Sequence, residues 1–152
     1  MYNAHVFEKR IVKKGERMIP IAEIMTKEVI TVLETTPIYE AMDLLMKHKI
    51  SGVPVVDEEM QLKGILSEKD VLRILVDNRV AVHDTVSDYM SRNVVSFPTT
   101  TDAVEICRFF IRSNIRRVPI VEGEKLVGIV SRRDIVEVIV EARSKLTDHR
   151  FN

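Results

Sequence analysis

Two stretches decide the fold. Gly64-Ile65-Leu66-Ser67-Glu68-Lys69-Asp70-Val71 returns 64 residues later as Gly128-Ile129-Val130-Ser131-Arg132-Arg133-Asp134-Ile135. Working outward, Ile50-Ser51-Gly52-Val53-Pro54-Val55-Val56 returns as Ile115-Arg116-Arg117-Val118-Pro119-Ile120-Val121 at an offset of 65. Met25 maps onto Met90, Thr35-Thr36 onto Thr100-Thr101, and Glu40 onto Glu105, again at 65; one residue lost in the turn between Asp57 and Leu62 explains the difference. Self-similarity at a fixed offset marks a duplicated structural unit.

The copies run over 21–75 and 86–142. Residues 1–20 are a basic lead-in, 76–85 a linker, and 143–152 a helix end with a polar tail. Each copy reads as strand, helix, strand, strand, helix. Val29 to Leu33 and Val94 to Phe97 are short β-branched runs. Thr36 with Pro37, and Thr101 with Asp102, are helix-start signals. Ile38, Ala41, Met42, Leu45 and Met46 keep helical spacing, as do Val104, Cys107, Phe110 and Ile111. Val53 to Val56 and Val118 to Val121 are unbroken apolar runs, as in strands buried on both faces. A unit of about 55 residues is marginal alone, so the copies are expected to share one α/β (α+β) module, 21–142, as a pseudo-two-fold pair.

Composition narrows the function. The chain has 152 residues, with 23 Lys+Arg against 23 Asp+Glu and 45% hydrophobic residues. Zero net charge argues against a dedicated nucleic-acid binder. One cysteine, Cys107, excludes an internal disulfide and a Cys-rich zinc site. No apolar run approaches a membrane span and no signal core follows the basic start, so a cytoplasmic protein is expected. His5, His48, His83 and His149 show no metal-ligand spacing. No nucleophile or acid/base pair can be assembled, so neither an enzyme nor a catalytic cofactor is expected.

Two constellations remain. Ser67-x-x-Asp70 and Ser131-x-x-Asp134 sit at strand-to-helix junctions. There they read either as capping boxes or as an anion-and-diol site, with helix N–H groups toward a phosphate and a carboxylate toward ribose hydroxyls. Both readings are compatible. The second constellation is Arg116, Arg117, Arg132 and Arg133, which stand where the first copy has Ser51, Gly52, Glu68 and Lys69. These four are either a solvated face or phosphate ligands, for which the guanidinium fork is well shaped.

The repeated Val-Pro-Val-Val strand, the Gly-x-x-Ser-x-x-Asp turn, and the openings Ile21-x-x-Ile24-Met25 and Val86-x-x-Tyr89-Met90 together resemble the CBS domain family. The resemblance implies a Bateman module with two clefts for adenosine-containing ligands: AMP, ADP, ATP, NAD or S-adenosylmethionine. It implies that Asp70 and Asp134 hold ribose, with Ser67 and Ser131 near ribose or phosphate. It places Ile30, Ile50 and Ile129 around the adenine of the Asp134 site, and Val95, Ile115 and Ile65 around that of the Asp70 site. Arg116 and Arg117 fall where the family often binds phosphate. It further implies a homodimer formed through helices, for which Leu44 and Phe109 are suitably apolar. With no catalytic domain attached, the chain is expected to regulate a partner protein in trans. The alternatives are a ligand-free dimerisation or docking scaffold and, less favoured, nucleic-acid binding through the arginines and the segment Lys9 to Arg17.

Overall fold

A computed structural model of the chain describes residues 18–79 and 81–148, with side chains as far as Ser144. The segment Lys9 to Arg17, His5 and His149 lie outside the described residues. The chain opens with a 3-10 turn at Ile21–Glu23, then β1 (Val32–Leu33), α1 (Ile38–His48), β2 (Gly52–Val56), β3 (Leu62–Ser67), α2 (Glu68–Val71) and α3 (Arg73–Val76). A second 3-10 turn at Val86–Asp88 precedes β4 (Phe97–Pro98), α4 (Ala103–Arg112), β5 (Arg117–Glu122), β6 (Lys125–Ser131) and α5 (Arg132–Asp148). The strands form two three-stranded sheets, β1-β2-β3 and β4-β5-β6. β1 is parallel to β2, and β3 antiparallel to it. The mixed α/β (α+β) class and the β-α-β-β-α order of each copy are as expected. No helix among the described residues is long and apolar enough to cross a membrane.

The described chain divides into two compact units, and neither is simply one copy. The first comprises 18–27, Ser96–Ile120 and 127–148; the second comprises Glu28–Val95, without Val80, and Val121–Leu126. The opening of copy one therefore sits in the unit built on copy two. There Ile19, Ile21 and Ile24 pack with Ala103, Ile106, Phe110, Val118, Ile120 and Val130. Backbone bonds fix the join, Ile21 N–H to Thr101 O and Ala103 N–H to Ile19 O, both 2.8 Å. In the second unit Ala81, Val86 and Tyr89 fill the core beneath Ile38, Ala41, Leu45, Val53, Val55 and Leu66. Val86 N–H bonds Thr36 O at 2.9 Å. The 76–85 stretch read as a linker thus contributes a fully buried alanine. Fully burying a residue such as Ile21 stabilises by about 1.5–3 kcal/mol, which a 55-residue copy with one thin helix layer cannot forgo.

The glycine that opens each repeated turn has a steric reason. Ile65 and Ser91 exchange two backbone bonds of 2.9 Å, and Thr26 and Ile129 exchange two of 2.9 and 3.0 Å. A Cβ on Gly64 would lie inside the van der Waals envelope of Met90 Cε and Ser91 O; one on Gly128 would overlap Met25 Sδ and lie 2.8 Å from its Cγ. At Gly64 the obstacle includes the Ser91 backbone, so only a residue without a side chain fits; at Gly128 it is the Met25 side chain.

Tyr89, 2% exposed, donates from its hydroxyl to Asp84 Oδ2 at 2.6 Å. Asp84 also pairs with Arg79 at 3.1 Å, and the Arg73 and Arg79 guanidinium groups lie 5.9 and 5.7 Å from the ring centre. The bond to Asp84, followed by burial, holds the phenol above its ordinary value.

Several local expectations are corrected. The two β-branched runs become strands only at their ends, Val32–Leu33 and Phe97–Pro98. Thr36 does not cap α1: its hydroxyl accepts from Leu33 N–H, and the first helical N–H, Ile38, donates to Asp84 O. Asp102 does cap α4, accepting from Val104 N–H at 3.2 Å. The buried stripe of α4 is Ala103, Ile106 and Phe110, while Ile111 is 83% exposed and Met46 of α1 is 76% exposed. Both lie at the outer edge of an apolar arc whose centre alone meets the sheet. Leu44 and Phe109 are half-buried and pack against the cores. The final helix of copy one is broken at Leu72 into two single turns, α2 and α3.

Two outcomes follow. Gly64→Ala and Gly128→Ala each lower urea-unfolding stability by about 1–3 kcal/mol, as overpacking does; an unchanged midpoint would show that the approach is not tight. Tyr89→Phe removes a bond to a charged acceptor worth about 1.5–3 kcal/mol. Because the folded phenol's pKa is raised, this contribution is fully present below the ordinary value of 10.0 and disappears as pH rises through the folded value. The gap in unfolding stability between wild type and variant should therefore stay constant below pH 10.0 and narrow as pH rises above it.

Candidate functional site

In the first unit β6 delivers Ile129 and Ser131 directly into α5, and Asp134 lies one turn later. Asp134 Oδ2 accepts from Ser131 N–H at 2.7 Å, and Asp134 N–H donates to Ser131 Oγ at 3.2 Å. This is a reciprocal capping box, so the capping reading of the motif is correct. It leaves Asp134 Oδ1 with no hydrogen bond among the described residues. Both side chains are half-buried. The turn heads a 17-residue helix, whose first N–H groups and dipole favour negative charge.

The second unit repeats the arrangement. Asp70 Oδ2 accepts from Ser67 N–H at 2.8 Å and from Ser67 Oγ at 2.9 Å, and Asp70 N–H donates to Ser67 Oγ at 3.3 Å. Here the turn opens only the four residues of α2. A single turn carries little dipole and few unpaired N–H groups.

The arginines do not act as one cluster. Arg116 is exposed, its side chain makes no bond among the described residues, and its carbonyl accepts from Arg132 N–H at 2.9 Å. Arg117 is half-buried at the head of β5. Arg133 pairs with Glu137 across one helical turn at 3.2 Å in the open, where such pairs contribute about 0.3–0.5 kcal/mol. Arg132 turns its Nη2 to two carbonyls, Phe110 O at 3.0 Å and Ser113 O at 2.6 Å. In the second unit the backbone relation recurs, Glu68 N–H to Ser51 O at 2.9 Å, without the positive charges.

The six apolar positions split between units. Ile129 belongs to the first unit with Ile115; Ile30, Ile50, Ile65 and Val95 belong to the second. Ile30, Ile50, Ile65 and Ile129 are half-buried, whereas Val95 and Ile115 are 42% and 37% exposed. Thr26 and Ser91, which escaped the sequence reading, are bonded backbone to backbone opposite Ile129 and Ile65. A signal for them existed: both carry a hydroxyl, both directly follow the paired methionines, and they sit 65 residues apart.

Asp134→Asn tests the two functions of the carboxylate separately. The amide oxygen still caps, so the unfolding midpoint moves by less than the about 1 kcal/mol that losing a cap costs. A larger loss would mean that the negative charge itself holds the turn.

With this geometry in hand, comparison with known proteins is informative. The family model described as CBS domain matches residues 21–77 and 86–141. The chain is 37% identical over 110 residues, 71% of its length, to inosine-5'-monophosphate dehydrogenase of Aquifex aeolicus, and spans 22% of that enzyme. It spans 42% of an uncharacterised Methanocaldococcus jannaschii protein that it matches at 32% identity over 120 residues. Among solved structures, AcuB of Vibrio cholerae superposes with a TM-score of 0.79 at 26% identity, covering 87% of this chain and 98% of that one. The CBS domain pair of protein MJ0100, in complex with 5'-methylthioadenosine and S-adenosyl-L-methionine, gives 0.71 at 29% identity, covering 82% and 98%.

Proposed function

The chain belongs to the CBS domain family, and on that premise we propose that it is a non-catalytic regulatory module for an adenosine-containing ligand. The observation that carries this reading is the Ser131–Asp134 turn: a half-buried carboxylate with one oxygen spent on the cap and the other available to a diol, at the head of a long helix. Relatives with the same fold support the ligand class, the MJ0100 pair holding two adenosyl compounds and CBSX2 being solved with AMP at 25% identity and a TM-score of 0.73.

In this proposal Asp134 receives the ribose hydroxyls, Ser131 and the first N–H groups of α5 face ribose or phosphate, and Arg116, with no partner among the described residues, supplies the phosphate contact. Ile30, Ile50 and Ile129 flank the adenine. Asp70, Ser67, Ile65, Val95 and Ile115 form the weaker second set, heading a single helical turn beside Glu68. The ligand class is AMP, ADP, ATP, NAD or S-adenosylmethionine. Binding shifts the population of packed states and acts on a partner protein in trans. A homodimer is part of the proposal, with its helical face moved from Leu44 and Phe109 to the exposed Ile111, Val136, Ile139 and Val140. The module is placed in the cytoplasm.

The capping bonds themselves favour one rival, a ligand-free dimerisation scaffold in which both Ser-x-x-Asp turns are only structural. A thermal-shift series with AMP, ADP, ATP, NAD and S-adenosylmethionine separates the two. A ligand at 100 times its dissociation constant adds about 2.7 kcal/mol, and Asp134→Asn abolishes the gain while Asp70→Asn leaves most of it. Silence from all five ligands would falsify the sensor reading. Sedimentation of wild type against Ile139→Glu checks the dimer, the variant being expected as a monomer.

A further inference from the structure

The two long helices that occupy the same place in each copy end differently. α1 closes itself. Lys49 adopts a left-handed conformation (φ 52), its N–H reaches Leu45 and Met46 O, and Ile50 N–H bonds Leu45 O at 3.1 Å. This is the usual backbone solution for the last carbonyls of a helix. α4 has no such closure. Ser113 leaves the helix in extended conformation (φ −119, ψ 164), and its N–H bonds only Phe109 O at 3.1 Å. The carbonyls of Phe110 and Ser113 are met instead by Arg132 Nη2. Copy one needs no such donor, and the equivalent Glu68 could not provide one.

Arg132 is also one of the two residues between Ser131 and Asp134, and it lines a groove of about 540 Å³ in the first unit with Cys107, Phe110, Ile111, Ile135 and Ile139. Its guanidinium therefore holds the end of α4 beside the groove, while its backbone belongs to the candidate ligand turn. We propose that Arg132 is a latch: it holds the open end of α4 to the first turn of α5, and an anionic ligand on Ser131–Asp134 draws it away, so that occupancy is read out as loosening of α4 and opening of the groove. The coupling rests on the ligand reading above. Its physical basis is that a phosphate offers the guanidinium an oppositely charged, bidentate acceptor where the two carbonyls are neutral, which supplies the differential contact that a population shift requires.

Cys107, the one cysteine of the chain and a lining residue of the groove, is a built-in reporter. Cys107 is half-buried and burial holds its thiol above the ordinary range, so modification by an aromatic disulfide reagent is slow while α4 is held in place. The measurement is the rate of that reaction on the full chain, with melting recorded alongside. Without nucleotide, Arg132→Ala is expected to react about fivefold faster, the factor given by about 1 kcal/mol of lost restraint. Arg132→Lys, which still donates, and Arg133→Ala, which loses only an exposed pair, should react at the wild-type rate. Saturating ADP should accelerate wild type toward the Arg132→Ala rate, while Arg132→Ala still gains thermal stability from ADP but no longer changes its rate. Equal rates for wild type and Arg132→Ala without nucleotide overturn the latch. If ADP raises the melting temperature of wild type yet leaves its Cys107 rate unchanged, the coupling is overturned with the ligand reading intact. If ADP moves neither, the coupling to ADP is overturned, the ligand reading is decided by the other four compounds of the thermal-shift series, and the nucleotide-free comparison alone decides the latch.

Discussion

The structure depends on a close approach of strand and opening segment, repeated in each copy. Gly64 and Gly128 let β3 and β6 bond to the segments at Ser91 and Thr26, which directly follow the opening turns of the copies. Those turns carry Ile21 and Ile24, or Val86 and Tyr89, into their cores. With a methyl group at Gly64 the strand would be forced off the Ser91 backbone, and at Gly128 the Met25 side chain would have to turn aside. The same bonds set Ile65 and Ile129 two residues before the Ser-x-x-Asp turns, so the packing constraint and the candidate site share one piece of backbone.

Duplication produced two frames and divergence filled them differently. Both frames keep the capping box, since a strand running straight into a helix must satisfy its first N–H groups in either copy. Beyond that the chemistry separates. Copy two continues into a 17-residue helix with Arg116, Arg132 and Arg133 around its start. Copy one has two short turns broken at Leu72, and Ser51, Glu68 and Lys69 in those places. A residue pair that holds structure in both frames is thereby open to a second use in one of them.

Much of this was legible in the residues. The repeat, the strand order, the doubly buried Val53–Val56 strand and the Ser-x-x-Asp junctions are local or periodic signals, and local signals survive folding. Thr36 misled because its hydroxyl had a nearer partner, Leu33 N–H, than the helix it precedes. Met46 and Ile111 misled because helical spacing defines an arc, whereas the sheet covers only its centre. Arg132 was read as one of four equivalent cations; its actual acceptors lie 19 and 22 residues back along the chain, beyond any spacing rule.

The sequence by itself determined the duplicated β-α-β-β-α frame and the two Ser-x-x-Asp junctions, because these follow from repetition, turn chemistry and hydrophobic period. Only the tertiary structure decided which core receives each opening turn, which oxygen of Asp134 is left over, and which arginine is spent on a helix end. Those are outcomes of competition among partners distant in sequence, and the winner is set by three-dimensional reach.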